Sequence, residues 1–149
     1  MIIFKGRPVI AGNYKGECLV SHHGVNMLAT FQKSILTRSK KAVCGDQDNP
    51  DLYKKVISGK IICLPRTIGS TTGGIVIQTA ADLGIMPPVM LFSEHIDPLA
   101  GAGVLVADIW SGKKVITVDE LGHEFLEVVK DGMTIEIRED GTVIVDEKQ

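Results

Sequence analysis

The sequence predicts an α/β fold with a mixed sheet. Short apolar runs typical of buried strands alternate with helical segments in the middle of the chain, and hairpin signals lie near both ends. The length of 149 residues suits one domain of ordinary size. No internal repeat or long Pro/Gly/Ser linker divides the chain, so residues 1–149 are expected to form a single domain.

The N-terminal third is expected to contain two strands and a helix. Apolar and β-branched residues cluster in MIIFKGRPVIAG and GECLVS, and Gly12-Asn13 separates the two clusters. This pattern predicts strands joined by a turn, an arrangement compatible with a hairpin. From Val25 to Leu36, apolar residues recur at mainly helical intervals and predict an amphipathic helix.

The middle of the chain is predicted as helix, strand and helix. Asn49-Pro50-Asp51 has the residue types of a helix start, so DLYKKVIS is expected to be helical and to end at Gly59. KIICL is typical of a buried strand. The segment TTGGIVIQTAADLG predicts a helix that Gly84 closes.

The C-terminal part is predicted to be rich in strands. PVMLFS, VLVADI and KKVITVD have the apolar pattern of strands, and DPLAGAG is expected to form a short helical turn between the first two. LGHEFLEVVKDG predicts a short helix. MTIEIREDGTVIVDEK predicts a hairpin with a primed turn at Asp140-Gly141.

Composition limits the classes of function. The formal net charge is only -2 and 44% of the residues are hydrophobic, which favours a cytoplasmic protein without nucleic-acid or membrane partners. The three cysteines, Cys18, Cys44 and Cys63, are widely spaced and form no CxxC pair. This spacing argues against a disulfide framework or a self-contained metal site. Any metal that the protein needs is therefore expected to come from a partner.

The stretch CLPRTIGSTTGGIVIQ, residues 63–78, places a hydroxyl cluster where a strand turns into a helix. Helix N-termini carry unpaired N–H groups and a partial positive charge, so such a turn suits a carboxylate, a phosphate or an oxyanion. A phosphate-binding P-loop is rejected because Ile75-Val76 stand where Lys-Ser/Thr is required. The order around Ser70 also lacks the GxSxG of a nucleophile elbow. A simple helix cap remains the alternative role of Ser70.

The segment from Lys60 to Trp110 resembles the small, swivelling subunit of the aconitase X family of dehydratases. It contains, in the order of that family, a Leu-Pro pair, a Gly-Ser pair, a predicted helix, a predicted strand and an Asp-Pro pair followed by Ala-Gly. Weaker similarity covers nearly the whole chain. The resemblance implies a swivelling β/β/α domain, with a mixed or barrel-like β core flanked by helices, that closes over a large aconitase X-type subunit. It also implies an iron or iron–sulfur centre held by that large subunit, and no cofactor bound by this chain alone.

The resemblance assigns roles to residues of the turn. Ordinary aconitase-type domains carry Gly-Ser-Ser-Arg there, and this chain has Gly69-Ser70-Thr71-Thr72. Ser70 is expected to act as the base. Thr72 replaces the arginine that binds a carboxylate, and Arg66 is the residue expected to supply that positive charge instead. A surface arginine is the alternative interpretation of Arg66. The remaining predicted substrate-binding residues are Gly69, Thr71, Thr72, Gly73, His23 and Asn26. An exposed loop pair is the alternative interpretation of His22-His23.

The implied reaction is the dehydration of a 3-hydroxy acid. Ser70 would remove the proton next to the carboxylate, and the iron of the partner would assist the loss of hydroxide. The stretch from Val25 to Ser58 is long and lysine-bearing and lacks the tryptophan-glycine and the Asp-Pro turn of family members that act on mevalonate 5-phosphate. It is more similar to the bacterial two-subunit type, and this resemblance implies cis-3-hydroxy-L-proline as substrate and 1-pyrroline-2-carboxylate as product. Mevalonate 5-phosphate is the alternative substrate, and a non-catalytic anion-binding module is the alternative function. A phosphohistidine carrier is disfavoured because Ile75 follows Gly73-Gly74.

Overall fold

The computed structural model describes residues 1–69 and 71–147. In chain order the elements are β1 (Ile2–Lys5), β2 (Arg7–Ile10), β3 (Tyr14–Val20), β4 (Val25–Asn26), α1 (Met27–Leu36), β5 (Ile61–Leu64), β6 (Thr67–Ile68), α2 (Gly73–Asp82), β7 (Val89–Phe92), α3 (Pro98–Trp110), β8 (Ile116–Asp119), α4 (His123–Val128), β9 (Thr134–Ile137) and β10 (Thr142–Asp146). Most of the predicted strands and helices are confirmed.

Within the described residues, eight strands form a mixed sheet in the order β1-β10-β9-β3-β5-β7-β8-β2. The strands β3, β5, β7 and β8 run parallel, and the other pairs are antiparallel. Only Gly6 separates β1 from β2, yet these strands lie at opposite ends of the order, so the sheet curves until it nearly closes. The predicted α/β class with a barrel-like β core is confirmed.

The hairpin expected near the N-terminus is wrong. β1 pairs with β10, β2 pairs with β8, and β3 lies between β9 and β5. The partner strands of β1 and β2 lie more than a hundred residues away in sequence. The local turn residues Gly12-Asn13 therefore cannot reveal them.

The parallel strands separate two hydrophobic cores. In β5, Ile62 and Leu64 face the core that α1, α2 and α3 cover, whereas Ile61 and Cys63 face the interior of the curved sheet. Successive side chains of a strand point to opposite faces, so burial on both faces requires a continuous apolar run. This double burial explains why KIICL lacks an alternating pattern.

The strand predicted for VLVADI is wrong, because these residues continue the helix that starts at Pro98. Asp97 caps this helix, since its carboxylate accepts the N–H of Ala100 at 3.0 Å. A short apolar run with β-branched residues fits a buried helix as well as a strand. The expected helical turn at DPLAGAG is thus the beginning of a helix of 13 residues.

The helix predicted for DLYKKVIS is also wrong, although its start signal is genuine. The side chain of Asn49 accepts the N–H groups of Asp51 and Leu52, each at 3.1 Å, but only turns follow. Lys54 has a φ of 67°, which ends any helix at that point. Its N–H then donates to the carbonyl of Cys44 at 2.9 Å, so the chain pairs with a neighbouring loop instead.

The C-terminal hairpin of β9 and β10 is confirmed, but its turn is not of the primed type. Gly141 has a φ of 88°, whereas Asp140 has no positive φ, and a primed type I′ turn requires both. The N–H of Gly141 donates to the carbonyl of Arg138 at 3.0 Å. This geometry fits a type I turn followed by a glycine bulge.

In the part of the chain that the structure describes, no helix is long and apolar enough to cross a membrane.

The contact between α2 and α3 depends on glycines. A Cβ at Gly103 would lie 2.9 Å from the carbonyl oxygen of Gly74, a backbone atom that cannot move alone. We expect Gly103→Ala to force the helices apart and to lower the free energy of unfolding by about 1–2 kcal/mol. On the same helix, a Cβ at Gly101 would approach only Ile96, at 4.0 Å, so Gly101→Ala is the control. Chemical denaturation measures both, and equal stability of the two variants would contradict this account of the contact.

Candidate active site

The connection between β6 and α2, whose described residues are Gly69, Thr71 and Thr72, lies at the carboxyl edge of the parallel strands. The segments that follow β3, β5, β7 and β8 all leave the sheet at this edge, which is where open α/β sheets bind ligands. The short strand β6 then pairs in parallel with β4, matching Thr67 with Val25. This pairing brings the loop after β5 against the start of α1.

Gly69 and Asn26 are in direct contact in this region. Gly69 has a φ of 104°, and a Cβ on it would lie 2.7 Å from the side-chain nitrogen of Asn26. The side-chain oxygen of Asn26 accepts the N–H of Ala29 at 3.1 Å and so caps α1. Gly69 is therefore required both for its backbone conformation and for the space that Asn26 occupies.

A second contact ties the turn to α3. The hydroxyl of Thr67 donates to one carboxylate oxygen of Asp97, while the other oxygen accepts the N–H of Ala100 at 3.0 Å. The bond between Thr67 and Asp97 cannot be predicted from local sequence, because the two residues lie 30 positions apart.

An ion pair between the half-exposed Arg7 and the buried Asp119 fixes the residue before Asp97. The N–H of Ile96 donates to the carboxylate of Asp119 at 2.7 Å, and Arg7 donates to both oxygens of that carboxylate at 2.9 and 2.7 Å. Burial opposes ionisation of Asp119, but the hydrogen bonds from Arg7 and Ile96 outweigh it, and the pKa of Asp119 is lowered. The ionised carboxylate thereby joins β2, β8 and the start of α3.

These contacts surround a cavity of about 120 Å³. The first turns of three helices line it, with Met27 from α1, Gly73 and Ile77 from α2, and Leu99 and Ala100 from α3. Thr67, Ile68, Gly69 and Asp97 complete the lining. Helix N-termini carry partial positive charge and favour anions, but Asn26 already caps α1 and the carboxylate of Asp97 already caps α3, so an anion is expected at the start of α2. Among the described residues that line the cavity there is no lysine or arginine.

The predicted site residues divide into two groups. Gly69 and Gly73 line the cavity, Asn26 contacts Gly69, and Thr71 and Thr72 lead into α2. Ser70 itself lies outside the described residues, so its role stays a prediction.

Arg66 and His23 are not brought to the cavity. The guanidinium of Arg66 pairs with Glu94 at 2.8 Å on the surface. The ring of His23 is more than half exposed, and its Nε2 lies 4.0 Å from Asp51. The predicted substrate-binding roles of these two residues receive no geometric support and stay predictions.

The described residues do not fit an iron–sulfur centre. Cys18, Cys44 and Cys63 are all buried, and burial raises the pKa of the Cys44 and Cys63 thiols, which disfavours the thiolate needed for ligation. His95, Asp119 and Glu120 bring ligand atoms within 4.8 Å of one another. Arg7, however, already binds both carboxylates of this group.

Removal of the Asp97 carboxylate tests the link between the turn and α3. We expect Asp97→Ala to lower the free energy of unfolding by about 1–2 kcal/mol, because it removes a helix cap and leaves the hydroxyl of Thr67 without its acceptor. Asp97→Asn keeps an acceptor oxygen and is expected to retain most of that stability. Thermal and urea denaturation measure the stability of both variants. An Asp97→Ala variant as stable as wild type would contradict the stabilising contact between Asp97 and Thr67.

Comparison with known proteins agrees with this geometry. The family model described as the aconitase X swivel domain matches residues 3–145. The chain is 33% identical to the phosphomevalonate dehydratase small subunit of Aeropyrum pernix, over 95% of this chain and 92% of that protein. It is 27% identical to the protein of the same name from Methanosarcina mazei, over 90% of this chain and 83% of that protein. These relatives are dehydratase subunits, in agreement with the predicted hydro-lyase class.

Two solved structures share the fold. The crystal structure of Thermococcus kodakaraensis aconitase X in its holo-form superposes with a TM-score of 0.82 at 22% identity, over 98% of this chain and 99% of that chain. The solution NMR structure of a UPF0107 protein gives a TM-score of 0.77 at 20% identity, over 97% and 99%. The family model and the relative from Aeropyrum pernix confirm the family expected from the sequence. The chain belongs to the aconitase X swivel domain family.

Proposed function

We propose that this chain is the small subunit of a cytoplasmic dehydratase that eliminates water from mevalonate 5-phosphate, with Ser70 as the base. The names of the relatives support this substrate, since both are called phosphomevalonate dehydratase small subunit. The preference for cis-3-hydroxy-L-proline rested on the stretch from Val25 to Ser58. None of the relatives described above supports that preference, and it becomes the alternative substrate.

The observation that carries the proposal is the N-terminus of α2, which lies at the cavity directly after the segment that contains Ser70 and, unlike the starts of α1 and α3, has no side-chain cap from its N-cap residue. Dehydration of a 3-hydroxy acid starts with removal of a proton from the carbon next to the carboxylate. A serine hydroxyl has too high a pKa to do this unless its alkoxide is stabilised. Helix N–H groups in a site from which water is excluded supply that stabilisation.

Substrate binding requires more positive charge than this chain offers at the cavity. Mevalonate 5-phosphate carries a carboxylate and a phosphate, whereas no lysine or arginine lines the cavity among the described residues. We therefore propose that the large subunit provides the cationic side chains. The function requires neither nucleic acid nor a membrane.

The iron or iron–sulfur centre belongs, in this proposal, to the large subunit. The buried cysteines of this chain do not fit such a centre. When bound in the partner, the metal centre would act as a Lewis acid toward the hydroxyl that leaves. The contribution of this chain is limited to binding the carboxylate of the substrate at the start of α2 and removing the neighbouring proton.

The test is a substrate comparison with the reconstituted enzyme. The chain is combined anaerobically with the aconitase X-type large subunit of the same genome, and water elimination is measured with mevalonate 5-phosphate and with cis-3-hydroxy-L-proline. The proposal expects turnover of the phosphate and little of the hydroxyproline. The opposite preference would reinstate the hydroxyproline alternative, and binding of both without turnover would favour a non-catalytic anion-binding module.

A further inference from the structure

The outer sides of α2 and α3 form a surface with almost no charge. The two helices contain only two charged residues, Asp82 and Asp108. Their outward-facing side chains include Ile75 at 66% exposure, Leu105 at 49% and Ile109 at 66%. We name this surface, formed by Ile75, Leu99, Ala102, Leu105, Val106 and Ile109, the α2–α3 surface. An apolar face of this kind on a soluble domain marks an interaction site.

The spacing of these residues makes the surface continuous. On α3, Ala102 lies three and four residues before Leu105 and Val106, and Ile109 lies four and three residues after them, so these residues share one side of the helix. The inner side of the same helix is also apolar, because Val104 and Ala107 are buried in the core. A helix that is apolar on both sides requires a second partner to cover its outer side.

The position of the surface indicates which partner this is. A groove between α2 and α3 is lined by Ile75, Leu99, Ala102 and Val106, and it reaches Thr71, the residue next to Ser70. Any protein that closes the cavity at the Ser70 turn therefore also meets the near end of the groove. From there α3 extends for 13 residues, about 20 Å.

We infer that the α2–α3 surface is the docking site of the large aconitase X-type subunit. This inference rests on the proposed function, since that function needs a large subunit at the Ser70 turn. The naming of both relatives as small subunits is consistent with such a partner. The lack of charge fits the core of a stable interface, from which charged residues are depleted.

The test measures affinity and not turnover. The double variant Leu105→Lys/Ile109→Lys places two charges in the middle of the surface and is expected to weaken binding of the large subunit at least 100-fold in titration calorimetry. The matched control is Leu36→Lys, because Leu36 is also exposed, at 74%, but ends α1. This control is expected to bind as wild type does. Thermal melting establishes that every variant is folded.

Wild-type affinity of the double variant would overturn the inference. It would also be overturned if sedimentation equilibrium showed the isolated chain to be a dimer that the double variant dissociates while large-subunit binding is unchanged, because a second copy would then be the occupant. Failure of the proposed function looks different: the wild-type complex would form and lose affinity in the double variant, but it would dehydrate neither substrate.

Discussion

Ser70→Ala is expected to lower the dehydration rate of the assembled enzyme about 100- to 10,000-fold, the usual contribution of a general base. The substitution removes the atom that accepts the proton but no apolar side chain from the α2–α3 surface, so affinity for the large subunit is expected to stay at the wild-type level. Steady-state kinetics at saturating substrate, together with titration calorimetry, measure the two quantities separately.

A matched loss of a hydroxyl distinguishes catalysis from a general effect. Thr37 lies at the end of α1, where its exposed hydroxyl donates to the carbonyl of Lys33 at 2.8 Å. Thr37→Ala is expected to keep wild-type turnover. If Ser70→Ala were equally active, Ser70 would have no catalytic role, and the base would have to come from the large subunit.

Gly69→Ala is expected to damage both stability and activity. Its φ of 104° is unfavourable for alanine, and the new Cβ would lie 2.7 Å from the side chain of Asn26. We expect the free energy of unfolding to fall by about 2–3 kcal/mol, from the strained backbone and the disturbed cap of α1. Displacement of the turn is expected to reduce turnover at least tenfold, since misplacement of catalytic groups by about 1 Å can cost as much as 100-fold.

Substitutions of two other glycines separate the cost of backbone strain from the cost of the contact with Asn26. Gly59 has a φ of 79° but open space around it, so Gly59→Ala reports strain alone. Gly73 has open space and no positive φ, so Gly73→Ala is expected to be nearly neutral for stability. Urea denaturation should rank the losses as Gly69, then Gly59, then Gly73. Equal losses at Gly69 and Gly59 would show that the contact with Asn26 has no energetic importance.

Local chemistry is sufficient to predict the strand and the helix that flank the segment containing Ser70. KIICL forms the buried strand β5, and Gly84 follows the end of α2 with a φ of 73°. Both signals act within a few residues, so they can be detected in a single sequence. The run VLVADI was predicted as a strand although it is helical. One side of this helix is buried and its exposed side is also apolar, so the sequence lacks the polar stripe by which an ordinary surface helix is recognised.

The remainder of the site depends on topology. Asp97 meets Thr67 because the loops that follow β5 and β7 leave neighbouring parallel strands at the same edge. Arg7 reaches Asp119 because β2 pairs with β8 at the end of the curved sheet. Both contacts depend on the order of the strands in the sheet, and this order cannot be inferred from the spacing of residues in the sequence. The resemblance to the aconitase X family did place Asn26 near the Ser70 turn, where its contact with Gly69 lies.

The most direct test of the account is whether catalysis needs both chains. Dehydration of mevalonate 5-phosphate is measured for the purified chain, for the large subunit with its iron intact, and for an equimolar mixture. The account predicts no turnover by either subunit alone and full turnover by the mixture. A large subunit that dehydrates the substrate equally well without this chain would contradict the claim that this swivel domain provides half of the active site.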